Sequence, residues 1–143
     1  MDWRHLFFNF DGRISRRPYW IAMLVLFIVD LFPFWVSYGA GNERLGAILD
    51  LALLYPCLAV MVKRAHDRET SLLPVVAFVG LDAILNAFSF FGLAGPIDNT
   101  SGLYALFAFP CLALAFYLAI ELGFRKGVSG PNRHGPDPLQ GQT

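Results

Sequence analysis

Residues 18–38 read PYWIAMLVLFIVDLFPFWVSY, with one charged group, Asp30, and aromatic residues at both ends. A helix that crosses a ~30 Å hydrocarbon core needs about 20 mostly apolar residues. At the α-helical rise, Tyr19 to Tyr38 covers ~28 Å, which predicts two interfacial belts, Tyr19-Trp20 at one end and Trp35 with Tyr38 at the other. Three further stretches have the same character: residues 45–62, 72–91 and 103–122. The sequence therefore predicts an all-α, polytopic membrane protein of four transmembrane helices.

Charge sets the expected orientation. Of the 11 Lys and Arg residues, all but Arg44 fall on one side of the four segments. Arg4, Arg13, Arg16 and Arg17 precede the first; Lys63, Arg64 and Arg68 lie between the second and third; Arg125, Lys126 and Arg133 follow the fourth. Short loops rich in Lys and Arg stay cytoplasmic, so both ends of the chain are expected inside. The formal charge of zero conceals this sorting. With 143 residues, 56% hydrophobic, and a mean hydropathy of +0.51, the chain is read as one membrane domain, 1–143, without a separate soluble catalytic domain. A cleavable signal peptide is not expected, because 17 mostly polar or aromatic residues precede a first apolar run too long for a signal core.

The spans have further internal structure. Residues 56–59 and 110–113 both read Pro-Cys-Leu-Ala, 54 residues apart, as a duplicated helical hairpin would give. Cys111, Ala115, Ala119 and Gly123 form a small-residue stripe of the kind that lets membrane helices approach closely. Cys111 is thus read as packing, and Pro56 and Pro110 as bends. Ser71 can cap the third span, and Pro18 suits the first turn of the first.

Outside the spans, residues 1–17 form an arm. Trp3, Leu6, Phe7 and Phe10 recur at helical spacing, so the arm is a short amphipathic helix that either lies in the interface or packs on its own bundle. Residues 123–143 form a Gly/Pro-rich tail.

Two constellations can carry function. Asp30, Asp50 and Asp82 enter the hydrophobic zone with no Lys or Arg in the spans to pair with them, and Asn86 stands one turn from Asp82 on the same face. Glu121 is expected to snorkel to the headgroups. On the basic side three segments end together: Gly12-Arg13-Ile14-Ser15-Arg16-Arg17, Lys63-Arg64-Ala65-His66-Asp67-Arg68, and residues 130–138, Gly-Pro-Asn-Arg-His-Gly-Pro-Asp-Pro. Arg13, Arg16, Arg64, His66, Asp67, Asn132 and Asp137 form either a structural cap or a site for lipid phosphate. Arg64–Asp67 pairing and Asn132 hydrogen bonds should knit it. No spacing supports a metal site, and no Walker, Rossmann or nucleic-acid signature is present.

These same segments carry a resemblance. Phe10-Asp11-Gly12-Arg13-Ile14-Ser15-Arg16-Arg17-Pro18-Tyr19-Trp20 resembles the opening F-x-G-R-x-S-R-x-x-Y-W of a bacterial inner-membrane family, domain of unknown function 805. Lys63-Arg64-Ala65-His66-Asp67 is similar to its R-R-L-H-D, and residues 130–138 are similar to its G-x-N-x-Y-G-P-D-P. Lys63, Ala65 and His134 depart from that pattern, as does the absence of a Ser-Gly-Trp stretch after Asp67. The resemblance implies a bacterial inner (plasma) membrane protein and no assigned activity. The expected function is a non-enzymatic interaction or anionic-lipid-binding module without cofactor. A small-ion or solute transport subunit using the intramembrane acids is the second reading, and an enzyme acting on lipid headgroups the third. Expected partners are membrane lipids, anionic ones included, with a second copy or another membrane protein; nucleic acid is not among them.

Overall fold

The computed structural model describes residues 2–96 and 99–140 and is all-helical. Helix α1 (Trp3–Phe8) is capped by Asp2, whose carboxylate accepts from the Arg4 and His5 amides. Helices α2 (Arg16–Phe34), α3 (Glu43–Arg68), α4 (Leu73–Phe90) and α5 (Gly102–Leu118) form the bundle. Wide π turns, Trp35–Gly39 and Ala119–Phe124, extend α2 and α5, giving continuous helices of 24 and 23 residues. The 26-residue α3 outruns the stretch read from the sequence because the apolar criterion stops at Lys63 whereas the backbone ladder does not, and the two π turns outrun theirs only over Gly39 and over Gly123 and Phe124. All four helices are long and apolar enough to cross a membrane.

Local chemistry sets the helix ends. Asn42 accepts from the Leu45 amide at the start of α3, and Ser101 accepts from Tyr104 at the start of α5. Ser71 accepts from Leu73, although Leu72 is the residue that flanks α4. Pro18 lies in the first turn of α2, where its missing N–H has no helical partner to lose. Pro33, Pro56 and Pro110 are inside helices, and the π turn that follows Pro33 lets Gly46 of α3 come in close. A side chain at Gly46 would collide with Ser37 and approach the Pro33 carbonyl at 3.1 Å.

Helix α3 is the centre of the bundle. It packs against α1, α2 and α4, while α5 lies beside α4 and sends its terminal π turn across to α2 and α3. The buried core lies toward one end of the bundle: Leu6, Ile14, Tyr19, Ala22, Val60, Ala65, Leu118 and Leu122 cluster where the arm and the tail converge. Elsewhere Leu24, Phe27, Phe32, Leu106, Phe109 and Phe116 face outward, a surface suited to hydrocarbon and far too apolar for a soluble monomer.

Two expectations, for Tyr19 and Glu121, need correction, and those for the arm and the small-residue stripe are narrowed. Tyr19 does not face outward as a belt residue would; it is 2% exposed in the core, whereas Trp20 is exposed. The arm packs on the bundle through Leu6, although Trp3 and Phe8 remain exposed. Glu121 does not snorkel. It is buried and paired with Arg68 and Arg125, each at 2.8 Å. The small-residue stripe is used at Gly123, where a side chain would strike the Trp20 ring, whose Nε1 donates to the Gly123 carbonyl at 3.1 Å.

Candidate functional site

At the end where arm and tail meet, Arg64 and Asp67 stand one turn apart near the end of α3. Both are buried, with side-chain exposures of 1% and 4%. Their ion pair is joined by Arg13, whose Nε donates to Asp67 Oδ1 at 3.1 Å. The remaining donors of the two guanidinium groups go to backbone carbonyls. Arg13 bonds Gly130 at 2.7 Å and Val128 at 2.6 Å. Arg64 bonds Leu122 at 2.7 Å, Ile14 at 3.2 Å and Arg125 at 2.6 Å. One aspartate and two arginines thus tie the arm, α3 and the tail together. Arginine suits this work because its fork presents five donors in fixed directions.

Neighbouring cations act the same way. Lys63 is fully buried, and its ammonium donates to the His5 and Leu6 carbonyls, both at 2.5 Å, closing the C-terminal end of α1. Arg68 bonds the Lys126 carbonyl as well as Glu121, while its Nε is buried without a partner among the described residues.

The tail folds over this lock. Asn132 donates to the His66 carbonyl at 3.0 Å, exchanges backbone bonds with Gly135, and accepts from the His134 amide at 2.9 Å. The His134 ring lies on that of His66, centroids 3.7 Å apart and planes within 7°. His66 Nδ1 faces the Gly12 carbonyl at 3.3 Å, which occupies one edge of a ring whose face is already covered. Among the described residues no three His, Cys, Asp or Glu groups are placed to hold a metal ion. Asp137 accepts from the Leu139 and Gly130 amides, both at 2.9 Å, and these bonds hold its carboxyl below the usual aspartate value.

The expected residues Arg13, Arg64, His66, Asp67, Asn132 and Asp137 are therefore brought together, but the first, second and fourth are saturated by internal bonds. Arg16 differs. It is exposed, with one bond to the Phe124 carbonyl at 3.3 Å, and it borders a cavity of about 290 Å³ lined also by Ser15, Lys126, Gly127 and Ser129 and by the bonded acids Asp67 and Asp137. Lys126 makes no side-chain hydrogen bond or ion pair with the described residues. Sequence reading did not single out Lys126, Ser129 or Gly127. Gly127 is required because a Cβ there would collide with the Asp67 carboxylate, and its only prior signal is its place two residues after Arg125.

The second constellation lies toward the opposite end. Asp30, Asp50, Asp82 and Asn86 border a shared space between α2, α3 and α4. Asp30 on α2 and Asp50 on α3 face the same space from different helices. Asn86 Nδ2 donates to Asp82 Oδ2 at 3.0 Å and to its carbonyl at 3.1 Å, the pairing expected from their spacing.

A family model described as "Protein of unknown function (DUF805)" matches residues 7–136. The chain belongs to this family. "Uncharacterized protein YiiR" of Escherichia coli (strain K12) is 33% identical over 136 residues, covering 91% of this chain and 86% of YiiR. "Inner membrane protein YhaI" of the same strain is 32% identical over 93 residues, 61% of this chain and 79% of YhaI. No solved structure matches the chain. In this DUF805 chain the three motifs that carry the resemblance are the three strands of chain knotted by Arg13, Arg64 and Asp67, so much of the motif set has a structural use.

Proposed function

We propose that this DUF805 protein is a non-enzymatic module of the bacterial inner membrane that holds an anionic lipid headgroup at its basic end, which faces the cytoplasm. The observation that carries this reading is the cavity beside Arg16 and Lys126. It is large enough for a phosphate, has Ser15 and Ser129 in its wall, and borders two cations that the internal lock leaves largely unspent. The Asp67 and Asp137 carboxylates in the same wall are already bonded to Arg13, Arg64 and backbone amides. Charge-assisted bonds from Arg and Lys are the usual means of holding phosphate oxygens, and a basic membrane-proximal cluster attracts anionic lipid by ~1 kcal/mol per cation. The cytoplasmic placement rests on the sorting of Lys and Arg, and the inner-membrane placement on similarity to YhaI.

Native mass spectrometry of the protein released from its own membrane in mild detergent tests this. Wild type should retain phosphatidylglycerol or another anionic lipid, and Arg16→Ala/Lys126→Ala should lose it at unchanged oligomeric state. Equal retention by both would overturn the proposal.

A further inference from the structure

Two tethers of different chemistry hold the tail to the body. The first is made of guanidinium and backbone groups. Arg13 bonds the Val128 and Gly130 carbonyls, and the Val128 amide donates to the Asp67 carbonyl at 2.9 Å. No group in it gains or loses a proton near neutral pH. The second holds residues 130–137, a turn closed on itself by the Gly130 amide on Asp137 and by the Asn132–Gly135 backbone pair. This turn is fastened by Asn132 on the His66 carbonyl, by the His134 ring on that of His66, and by a longer bond, 3.4 Å, from Arg13 to the Gly135 carbonyl.

Hydrogen bonds fix which protons the two rings carry. A carbonyl only accepts, so the His66 Nδ1 that faces Gly12 holds a proton and its Nε2 is bare when the ring is neutral. A guanidinium only donates, so His134 Nε2, which meets Arg133 Nε at 2.9 Å, is bare as well. Both imidazoles are therefore neutral in this arrangement, and each takes its next proton at Nε2. On His134 that proton displaces the Arg133 bond and sets cation against cation. With both rings protonated, two like charges lie face to face, their centroids 3.7 Å apart.

The surroundings do little to offset this repulsion. Arg133 adds a further positive charge from the tail. Asp11 of the arm favours a proton on His66, but it is exposed and screened by water. His5, against Gly12, brings another titratable ring rather than an acid. On α3, Lys63 and Asp67 are bonded elsewhere, and Asp137 closes its own turn.

We propose that the His66–His134 stack is an acid-released latch: when the rings take up protons, the 130–137 turn swings off the end of α3 while the Arg13 tether to Val128 and Gly130 stays closed. Gly130, at φ +85°, is the hinge between the two. The docked turn disfavours protons on the rings, so docking is complete above the ordinary histidine value of ~6.5 and is lost as pH falls below it. Asp137 and Leu139 line the 290 Å³ cavity and lie at or beyond the end of this turn, so release opens that wall to water. The latch is a property of the tail and does not depend on what the cavity holds.

Selective ¹³C labelling of histidine tests the proposal, because the chain has three histidines and gives three sets of ring signals. In full-length wild type in neutral phosphocholine micelles, the His66–His134 ring-to-ring NOE should be present at about pH 8 and lost by about pH 5. The Asn132 side-chain amide should move to its free position over the same range, and the Val128 amide should stay in place. His134→Phe keeps a ring over His66 that cannot be charged, and a cation over a Phe face is attracted, so its Asn132 amide should not move. A wild type that keeps the ring contact at pH 5 or lacks it at pH 8, or a His134→Phe variant that releases in step with wild type, would each overturn the proposal. The wild-type titration decides it alone should the variant not fold.

Discussion

Glu69 ends α3 with φ of +51°, a left-handed conformation that a side chain disfavours by ~1 kcal/mol or more. The helix stops there because the Glu69 and Thr70 amides turn back to the His66 and Ala65 carbonyls, a closure for which glycine is the natural residue. Glu69→Gly should therefore stabilise the protein by up to ~1 kcal/mol, visible as a higher unfolding midpoint in detergent, and a lower midpoint would refute the reading. Gly127→Ala should do the opposite, since its methyl meets the Asp67 carboxylate; overpacking of this kind costs about 1–3 kcal/mol. Arg64→Leu should be worse, by about 3–5 kcal/mol, because it leaves Asp67 and three backbone carbonyls buried with fewer donors. Arg64 and Asp67 were visible in the sequence as a charge pair at helical spacing. Gly127 and the buried role of Lys63 were not, because each depends on a contact more than 50 residues away along the chain.

Among elements, α3 was the most legible in type and the least in extent. Its apolar run ends at Val62, but the helix continues for another turn and a half because Lys63, Arg64 and Asp67 find partners on α1, on the arm and on the tail. The tail was legible as Gly/Pro-rich turn chemistry and as part of a cap bonded through Asn132, but not in how its rings and carboxylate are used. Its position follows from Asn132 on the His66 carbonyl, from the His66–His134 stack and from Asp137 closing its own turn. Because the Asp137 carboxyl accepts two amide bonds, its folded pKa lies below the unfolded one. The stabilisation is then present above the ordinary value of 3.8 and is lost as pH falls through the lower folded value. The Gly130 and Leu139 amide resonances should titrate with a midpoint below 3.8; a midpoint at or above it would contradict the bonding seen here.

For the whole molecule, the sequence pattern gives four spans and one-sided charge, and the structure divides that charge by use. Arg13, Lys63, Arg64 and Arg68 are internal, whereas Arg16 and Lys126 face the cavity. Charge counting cannot make this distinction, because it treats every cation at a membrane face alike. The division separates stability from lipid recognition, and the most direct test is thermal unfolding of the protein in bilayers of phosphatidylcholine with increasing phosphatidylglycerol. A ligand that binds only the folded state raises the midpoint with its concentration. Wild type should gain stability as the anionic fraction rises, and Arg16→Ala/Lys126→Ala should match wild type in pure phosphatidylcholine but show no gain. A variant that gains as much as wild type, or one already unstable in phosphatidylcholine, would contradict the account.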